Sequence, residues 1–301
     1  MKILIIGQAG QLAFELQRTL APLGRLMVCG RTSTPALDLA DPASIVRHIS
    51  TTGPDLVVNA AAYTAVDHAE SDQAMAAQVN AHSVAVLAEA CQRSGARLVH
   101  YSTDYVFSGD ASRPYLESDR TGPASVYGQT KLAGEQAILD SGVSYLIFRT
   151  AWVYGLHGQN FLNTMLRLMA ERTTLGIVDD QIGQPTWSRM IAEATALILS
   201  QTLSEGRLHF GDRSGIYHLT ASGQTSWHGF ASAIREVAIG CGALASGAAT
   251  LRPIPTTEYP LPAPRPQYSV LSNQKVLETF GVKLPDWREQ LSLCLAPLRP
   301  N

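Results

Sequence analysis

The chain has 301 residues, of which 46% are hydrophobic and 16% are charged, and its formal net charge is −2 at pH 7. This composition is ordinary for a globular protein, and the near-zero net charge argues against a general nucleic-acid or membrane-surface binder. The four cysteines are scattered and form no Cys-x-x-Cys pair, which argues against a zinc site or a disulfide framework and favours a cytoplasmic setting.

The first predicted element is a buried strand over residues 3–6, an apolar run too short for a signal sequence or a membrane span. It leads through a glycine turn into a helix expected over residues 12–20. Gly7 permits the tight turn and Gly10 lets the backbone approach a pyrophosphate, while Ala13 fills the small-residue position where helix packs on strand. A Gly-x-x-G pair is weak alone, but this context predicts a dinucleotide site.

The second predicted strand, over residues 26–29, ends beside Arg31, where dinucleotide-binding folds place the residue that contacts the adenosine ribose. An acidic residue there would accept hydrogen bonds from a 2′-hydroxyl, whereas Arg31 suits a 2′-phosphate. We therefore expect NADPH as the cofactor, with NADH as the alternative if Arg31 is only a solvated surface arginine.

A helix is expected over residues 42–50, followed by a third buried strand over residues 55–59. The alanines at 60–62 leave room for a bulky ligand at the carboxyl edge of that strand, although they are also compatible with the start of a helix. Residues 66–93 read as one broken helix or two consecutive helices. Asn80 lies on the apolar side of this segment and is interpreted as a core amide.

The chemistry of the chain is concentrated in residues 98–131. A predicted strand leads into a polar turn that begins at Thr103, and Tyr127 and Lys131 lie four apart on a helix expected over residues 125–140. With 10 tyrosines and four lysines, roughly 0.13 Tyr-x-x-x-Lys pairs are expected by chance. A lysine charge brings a phenol that titrates near ~10 closer to neutral pH, so this trio predicts proton donation to a nascent alkoxide.

A polar loop over residues 108–124 is expected to cover the site, and a strand over residues 145–149 closes the first lobe. The alternation of strands and helices predicts an α/β fold with a Rossmann-type doubly wound parallel sheet in residues 1–150. Residues 151–301 are expected to form a smaller, mixed α/β substrate lobe, interleaved with segments that return to the first core. Its expected elements are helices near residues 160–172, 188–200, 226–239, 273–280 and 287–295 and a short strand at 177–178.

Six prolines between residues 253 and 266 make an extended tract. Two readings remain open at this point. The tract could be a solvated linker, or Arg265 within it could clamp an anionic ligand.

Several strings in the chain resemble the extended short-chain dehydrogenase/reductase family, from the N-terminus to about residue 295. They are Gly7-x-x-Gly10-Gln11, Asn59-Ala60-Ala61-Ala62-Tyr63-Thr64, His100-Tyr101-Ser102-Thr103-Asp104-Tyr105, Tyr127-Gly128-x-Thr130-Lys131 and Asp180-Gln181-x-Gly183-x-Pro185-Thr186. The resemblance implies NAD(P)H-dependent reduction of the C4 keto group of a dTDP-linked 6-deoxy-4-ketohexose, a step of cell-surface polysaccharide biosynthesis. Tyr127 would donate the proton, Lys131 would bind the nicotinamide ribose and Thr103 would hydrogen-bond the reacting oxygen.

The resemblance also suggests which residues touch each ligand. The predicted cofactor-binding residues are Gly7, Gly10, Gln11, Leu12, Arg31, Asp38, Leu39, Ala60, Ala61, Ala62, Tyr63, Thr64, Tyr101, Tyr127 and Lys131. The nucleotide sugar would contact Thr103, Asp104, Tyr105, Trp152 and Arg265.

Some members of the family are thought to bridge a homodimer through a magnesium ion held by carboxylates. Glu15 matches one of these positions, but Arg189 stands at the second and Glu193 lies a full turn away. A guanidinium repels a cation, so we expect no magnesium site, and both a monomer and a homodimer remain open.

Two other functions remain as alternatives. The chain could be a non-catalytic dinucleotide-binding regulatory subunit, resembling that of methionine adenosyltransferase, or a sibling nucleotide-sugar reductase or epimerase. The complete trio of Thr103, Tyr127 and Lys131 favours an enzyme over a regulatory subunit.

Overall fold

The computed structural model of the chain describes residues 1–298, and the last three residues of the predicted second lobe lie outside the described residues. The strands are β1 (Lys2–Ile6), β2 (Arg25–Cys29), β3 (Leu56–Asn59), β4 (Arg97–Thr103), β5 (Tyr145–Thr150), β6 (Val153–Tyr154), β7 (Thr174–Val178), β8 (Ile182–Gly183), β9 (Thr186–Trp187), β10 (Leu203–Ser204), β11 (Arg207–Leu208), β12 (Gly215–His218), β13 (Thr225–Ser226) and β14 (Thr250–Ile254). The helices are α1 (Gln11–Thr19), α2 (Pro42–Thr52), α3 (Val66–Ala69), α4 (Gln73–Ala77), α5 (Ser83–Ser94), α6 (Val126–Asp140), α7 (Phe161–Glu171), α8 (Ser188–Gln201), α9 (Trp227–Gly240), α10 (Gln274–Phe280) and α11 (Trp287–Leu295).

Six parallel strands form the main sheet in the order β12-β5-β4-β3-β1-β2. The chain leaves β1 towards β2 on one side and returns to β3 on the other side of β1. In sheets of this kind, ligands bind beyond the carboxyl ends of the strands where the order reverses. The predicted α/β fold with a doubly wound parallel sheet is confirmed, and the five strands predicted in residues 1–150 correspond to β1 to β5.

Both faces of the main sheet are covered, which explains why its strands read as continuous apolar runs. Ile3 and Ile5 of β1 pack in a core that also contains residues of α1 and α8. Leu4 and Ile6 point to the opposite face and pack with residues of α2, α5 and α6. Both α8 and β12 come from the second half of the chain, so that half contributes to the sheet layers as well as to its own core.

The second half of the chain has its own apolar core, built mainly from α7, α9 and α11. A parallel pair of strands, β7 and β14, lies beside this core in the register Thr174↔Thr250. The predicted strand at residues 177–178 is the end of β7, and the helices expected in this half correspond to α7 to α11.

The proline tract is exposed at five of its six prolines, and the segment that follows it is anchored to the rest of the protein. Its first proline lies within β14, and the segment that follows the tract pairs with the loop over residues 108–124. The Tyr268 amide donates to the Gly109 carbonyl at 3.0 Å, and the Tyr115 amide donates to the Val270 carbonyl at 2.8 Å. The segment that follows the tract is therefore anchored, and both readings of the tract itself remain predictions.

The segment 66–93 is divided more finely than the sequence predicts, into α3, α4, a π-helical turn (Gln78–His82) and α5. Asn80 in this turn accepts from the Tyr63 amide at 2.9 Å and donates to the Tyr63 carbonyl at 3.0 Å and to Thr130 at 3.2 Å. It is thus a fully used core amide, as predicted. Across residues 1–298, no helix combines the length and apolar character needed to cross a bilayer.

Candidate active site

The start of α6 lies unusually close to the turn that follows β4. A Cβ atom at Gly128 would lie 2.3 Å from the Tyr105 carbonyl oxygen, so only glycine permits this approach. The Ser125 hydroxyl caps the helix by accepting from the Gly128 amide at 3.2 Å. This packing brings Tyr127, on the first turn of α6, to the end of the strand that carries Thr103.

Tyr127 keeps part of its surface open to solvent, yet the surrounding protein raises the pKa of its phenol to about 12, an effect that the Thr103 hydroxyl partly opposes. The Tyr105 ring packs edge-on against it, with ring centroids 5.6 Å apart. A phenol with this pKa remains protonated at neutral pH. Tyr127 therefore has a proton to donate, but its pKa moves away from neutral because burial dominates, contrary to the expectation that a lysine charge brings it closer to neutral.

Lys131 lies one turn further along α6 and is only 2% exposed. Its Nζ donates to the Tyr101 carbonyl at 2.7 Å and lies 3.2 Å from Nε2 of His100. Burial lowers the pKa of Lys131 to about 8, and the neighbouring Glu135 partly opposes this. Such a lysine can change its charge near neutral pH.

Thr103 and Asp104 form the polar floor beneath Tyr127. The Thr103 hydroxyl donates to Asp104 Oδ1 at 2.9 Å and accepts from the Tyr105 amide at 3.2 Å. Asp104 is 2% exposed, and burial raises the pKa of its carboxyl to about 6.

Two buried oxygens near this floor have no hydrogen-bond partner within residues 1–298. They are the hydroxyls of Ser102 and Thr150, whereas the Ser269 hydroxyl lies close enough to the Asp104 carboxyl to lower its pKa. The sequence reading did not select Ser102, Thr150 or Ser269, because a serine or threonine carries no spacing signal of its own.

The glycine turn and the alanines after β3 lie side by side at the reversal point of the sheet. Gly7 has φ +115°, and a Cβ atom there would lie 3.2 Å from the Ala60 carbonyl carbon. Gly10 is the N-cap residue of α1, so the helix N-terminus opens at the same place. The geometry fits a dinucleotide whose pyrophosphate lies on this turn.

Arg31 is exposed in the turn after β2. The adjacent Thr32 donates to the Gln8 side chain at 2.7 Å, which ties this turn to the glycine turn. Arg31 thus lies on the rim of the cleft, where its exposed guanidinium could contact a 2′-phosphate.

Two of the predicted cofactor residues do not present their side chains to the cleft. The Tyr101 hydroxyl is hydrogen-bonded to Thr195 of α8 at 2.9 Å, and the Leu39 side chain is 6% exposed within the core under α2. Side chains alternate along a strand, so Tyr101 points away from the face that carries His100 and Lys131. Only the backbone of Tyr101 reaches Lys131.

The remaining predicted cofactor residues lie around the cleft with other protein contacts. Gln11 accepts from Asn160 at 2.9 Å, Asp38 accepts from the Ala40 amide at 2.9 Å, and the Ala61 amide donates to Asn59 at 3.3 Å. Leu12, Ala60, Ala62 and Tyr63 are partly buried, and Thr64 is exposed.

The sequence reading missed a loop, residues 155–160, that closes on the glycine turn. His157 contacts the Ala9 carbonyl at 3.1 Å and stacks on the Phe14 ring with centroids 4.2 Å apart. These contacts join residues almost 150 positions apart, and nothing in the local pattern marks them.

Trp152 forms an aromatic wall at the end of β5. It has φ +46°, and its indole stacks on that of Trp227 with ring centroids 3.5 Å apart. A Cβ atom at Gly183 would lie 2.4 Å from the Trp152 ring, so the glycine makes space for the indole. A strained residue of this kind is frequent at ligand sites.

Arg265 lies within the proline tract, and its side chain is largely buried against α3. It donates to Asp67 Oδ2 at 2.7 Å and to the Ala263 carbonyl at 2.9 Å. In this structure its charge is therefore paired within the protein, near Tyr105.

The residues at the expected metal position do not fit magnesium. The Arg189 Nε donates to Glu15 Oε2 at 3.1 Å, and the guanidinium lies 5.0 Å from the centroid of the Trp187 ring. Within residues 1–298 no group of three or more His, Cys, Asp or Glu side chains could hold a metal ion. A guanidinium already occupies the place where the cation would be bound.

Comparisons with known proteins agree with this geometry. The sequence matches the family described as RmlD substrate binding domain over residues 1–299. It is 50% identical over 302 residues to the dTDP-4-dehydrorhamnose reductase of Burkholderia thailandensis, with 99% of each chain covered. The fold is similar to the dTDP-4-dehydrorhamnose reductase of Clostridium acetobutylicum (TM-score 0.88, 35% identity, 100% of each chain). It is also similar to that of Bacillus anthracis in complex with NADP (TM-score 0.84, 32% identity, 98% and 99% covered).

Proposed function

Because this chain belongs to the RmlD substrate binding domain family, together with the dTDP-4-dehydrorhamnose reductases, we propose that it reduces dTDP-4-dehydro-L-rhamnose to dTDP-L-rhamnose. The observation that carries the proposal is the convergence of Thr103, Tyr127 and Lys131 beside a dinucleotide cleft. The reaction converts the C4 carbonyl into a secondary alcohol. It therefore needs one hydride at carbon and one proton at oxygen.

NADPH supplies the hydride when bound in the cleft. The protonated Tyr127 phenol gives its proton to the C4 oxygen as the carbonyl is reduced. The Thr103 hydroxyl donates a hydrogen bond to the same oxygen in place of its bond to Asp104, and a charged Lys131 stabilises the phenolate that Tyr127 leaves.

We assign the sugar to the region of Thr103 and Asp104, with the Trp152 indole along one side and Tyr105 beside the reacting carbon. Arg265 would hold the diphosphate by exchanging its bond to Asp67 for one to the ligand. The division of labour between a cofactor lobe in residues 1–150 and a substrate lobe in residues 151–301 belongs to the same proposal.

NADPH is the expected cofactor because the turn after β2 holds Arg31, Thr32 and Ser33 and no acidic residue. A relative that is 32% identical has been solved in complex with NADP. The four free cysteines favour a cytoplasmic setting. If the protein forms a homodimer, Glu15 and Arg189 would not hold a magnesium bridge in it.

The purified protein should oxidise NADPH when dTDP-4-dehydro-L-rhamnose is supplied, and Tyr127→Phe should lower kcat by roughly 10²- to 10⁴-fold because it lacks the proton donor. Loss of NADPH absorbance measures both. Tyr259→Phe is the control, because Tyr259 is 54% exposed and lies outside the site. Full turnover by Tyr127→Phe would contradict the assigned mechanism.

The same assay tests the substrate and the cofactor. Better turnover of a GDP- or UDP-linked 4-keto sugar would point to a sibling enzyme. Equal use of NADH and NADPH would remove the role given to Arg31.

A further inference from the structure

Asn59, His100 and Lys131 form a buried chain of polar contacts, and the proposed reaction gives no role to Asn59 or His100. Asn59 and His100 are paired across β3 and β4, and each is 1% exposed. Asn59 Nδ2 lies 3.1 Å from His100 Nδ1, and His100 Nε2 lies 3.2 Å from Lys131 Nζ. The chain therefore runs from the end of β3 directly to the lysine of the active site.

The orientation of the Asn59 side-chain amide fixes the direction of both hydrogen bonds in this chain. The Ala61 amide donates to Asn59 Oδ1 at 3.3 Å, so the NH₂ group of Asn59 faces the imidazole. His100 Nδ1 must then accept, and the imidazole proton belongs on Nε2. Burial and the nearby Lys131 hold the pKa of His100 well below its ordinary value, so the ring carries only that one proton.

The Nε2 proton points at Lys131 Nζ. An ammonium has no lone pair and would face this proton as a second donor, whereas a neutral amine can accept it and still donate to the Tyr101 carbonyl. We propose that Asn59 and His100 are positioning residues that favour the amine form of Lys131 in the unliganded site. Lys131 then becomes charged when ligand hydroxyls accept hydrogen bonds from its ammonium, which the His100 Nε2–H group cannot do.

The other charged groups around Lys131 do not account for this effect. Glu135 on the same helix favours the ammonium, but Arg149 of β5 holds both of its oxygens. Asp104, in the turn after β4, acts on the Tyr127 phenol. Glu70, after α3, accepts from the amide of Val126 at the start of α6.

The test is an NMR titration of lysine Nζ in protein labelled with ¹⁵N-lysine, without substrate or cofactor. Only four lysine signals arise, from Lys2, Lys131, Lys275 and Lys283. His100→Gln and Asn59→Asp should each raise the pKa of Lys131 by about one unit or more. The glutamine can turn its carbonyl towards an ammonium, and the aspartate accepts from Nδ1 and so leaves Nε2 as an acceptor.

His48→Gln is the matched control and should leave the Lys131 titration unchanged. His48 is also a buried histidine, but its ring nitrogens face the carbonyls of Ser44 and Pro35 on the α2 side of the sheet. An unchanged Lys131 titration in both His100→Gln and Asn59→Asp would overturn the proposal.

A measurement on the wild-type protein tests the proposal independently, and it does not depend on whether the variants fold. The ¹⁵N shifts of the His100 ring distinguish its tautomers, and the Nε2–H form is expected, whereas an Nδ1–H or charged ring would overturn the proposal. The inference rests on the role proposed for Lys131 in the reductase. Because the titration is made without turnover, its failure would leave reduction of the sugar nucleotide intact.

Discussion

Lys131 and Glu135 lie one turn apart on α6, both are 2% exposed, and their surroundings are opposite in kind. Both oxygens of Glu135 accept from Arg149, at 2.9 and 2.7 Å. Lys131 meets one carbonyl and a neutral imidazole. Removing the partner of a buried charge is strongly destabilising, whereas a buried charge with neutral neighbours has a shifted pKa and is a candidate for a change of protonation.

The largest expected effect comes from breaking the buried ion pair between Glu135 and Arg149. Arg149→Met should lower the free energy of unfolding by about 3 to 5 kcal/mol, because it leaves the Glu135 carboxylate buried without a partner. Urea denaturation measures the loss. Arg93→Met, which breaks an exposed pair with Glu89, should cost less than about 1 kcal/mol. Equal losses in the two variants would show that Glu135 is not buried as described.

A smaller effect on the free energy of unfolding, with a definite pH dependence, is expected at Lys131. The pKa of Lys131 is about 8 in the folded protein against an ordinary 10.5, so between these values the unfolded chain binds a proton that the folded protein lacks. The unfolding free energy of the wild type should therefore rise with pH relative to Lys131→Met, by roughly 3 kcal/mol in total. Paired urea titrations at neutral and alkaline pH measure this difference, and a difference that stays flat would refute the lowered pKa.

Asp104 should give a slightly smaller effect of the opposite sign. Burial raises the pKa of its carboxyl from an ordinary 3.8 to about 6, so in this range the folded protein holds a proton that the unfolded chain has lost. The stability of the wild type should fall relative to Asp104→Asn as the pH rises, by up to about 3 kcal/mol at neutral pH. The pH-dependent part of the difference should vanish below about pH 3, where both states are protonated. Thermal unfolding across this pH range provides the measurement.

The sequence predicted the parts of the molecule that local patterns specify. Strands β1 to β5 are continuous apolar runs, and the glycine turn is recognisable because a strand precedes it and a helix follows it. Tyr127 and Lys131 were found because helical spacing places them on one face. In contrast, β12 is only four residues long and is a strand because β5 lies beside it.

Contacts between distant segments could not be read from the sequence. The π-helical turn at Gln78–His82 lies where α6 packs, and a Cβ atom at Gly134 would be 2.1 Å from the Asn80 carbonyl oxygen. The pairing of Arg265 with Asp67 joins positions 198 apart. The misassigned Tyr101 side chain has a simpler cause, because the strand alternation already placed it opposite His100.

The contact between Trp152 and Gly183 also has a consequence for enzyme engineering. A side chain at position 183 would collide with the Trp152 indole. A substitution at Gly183 therefore depends on a change at Trp152. A smaller residue at Trp152 must come first, and it opens space in which position 183 can then carry a new side chain. Libraries intended to broaden the range of sugars should therefore vary these two positions as a pair, because a side chain added at Gly183 alone requires the Trp152 indole to move.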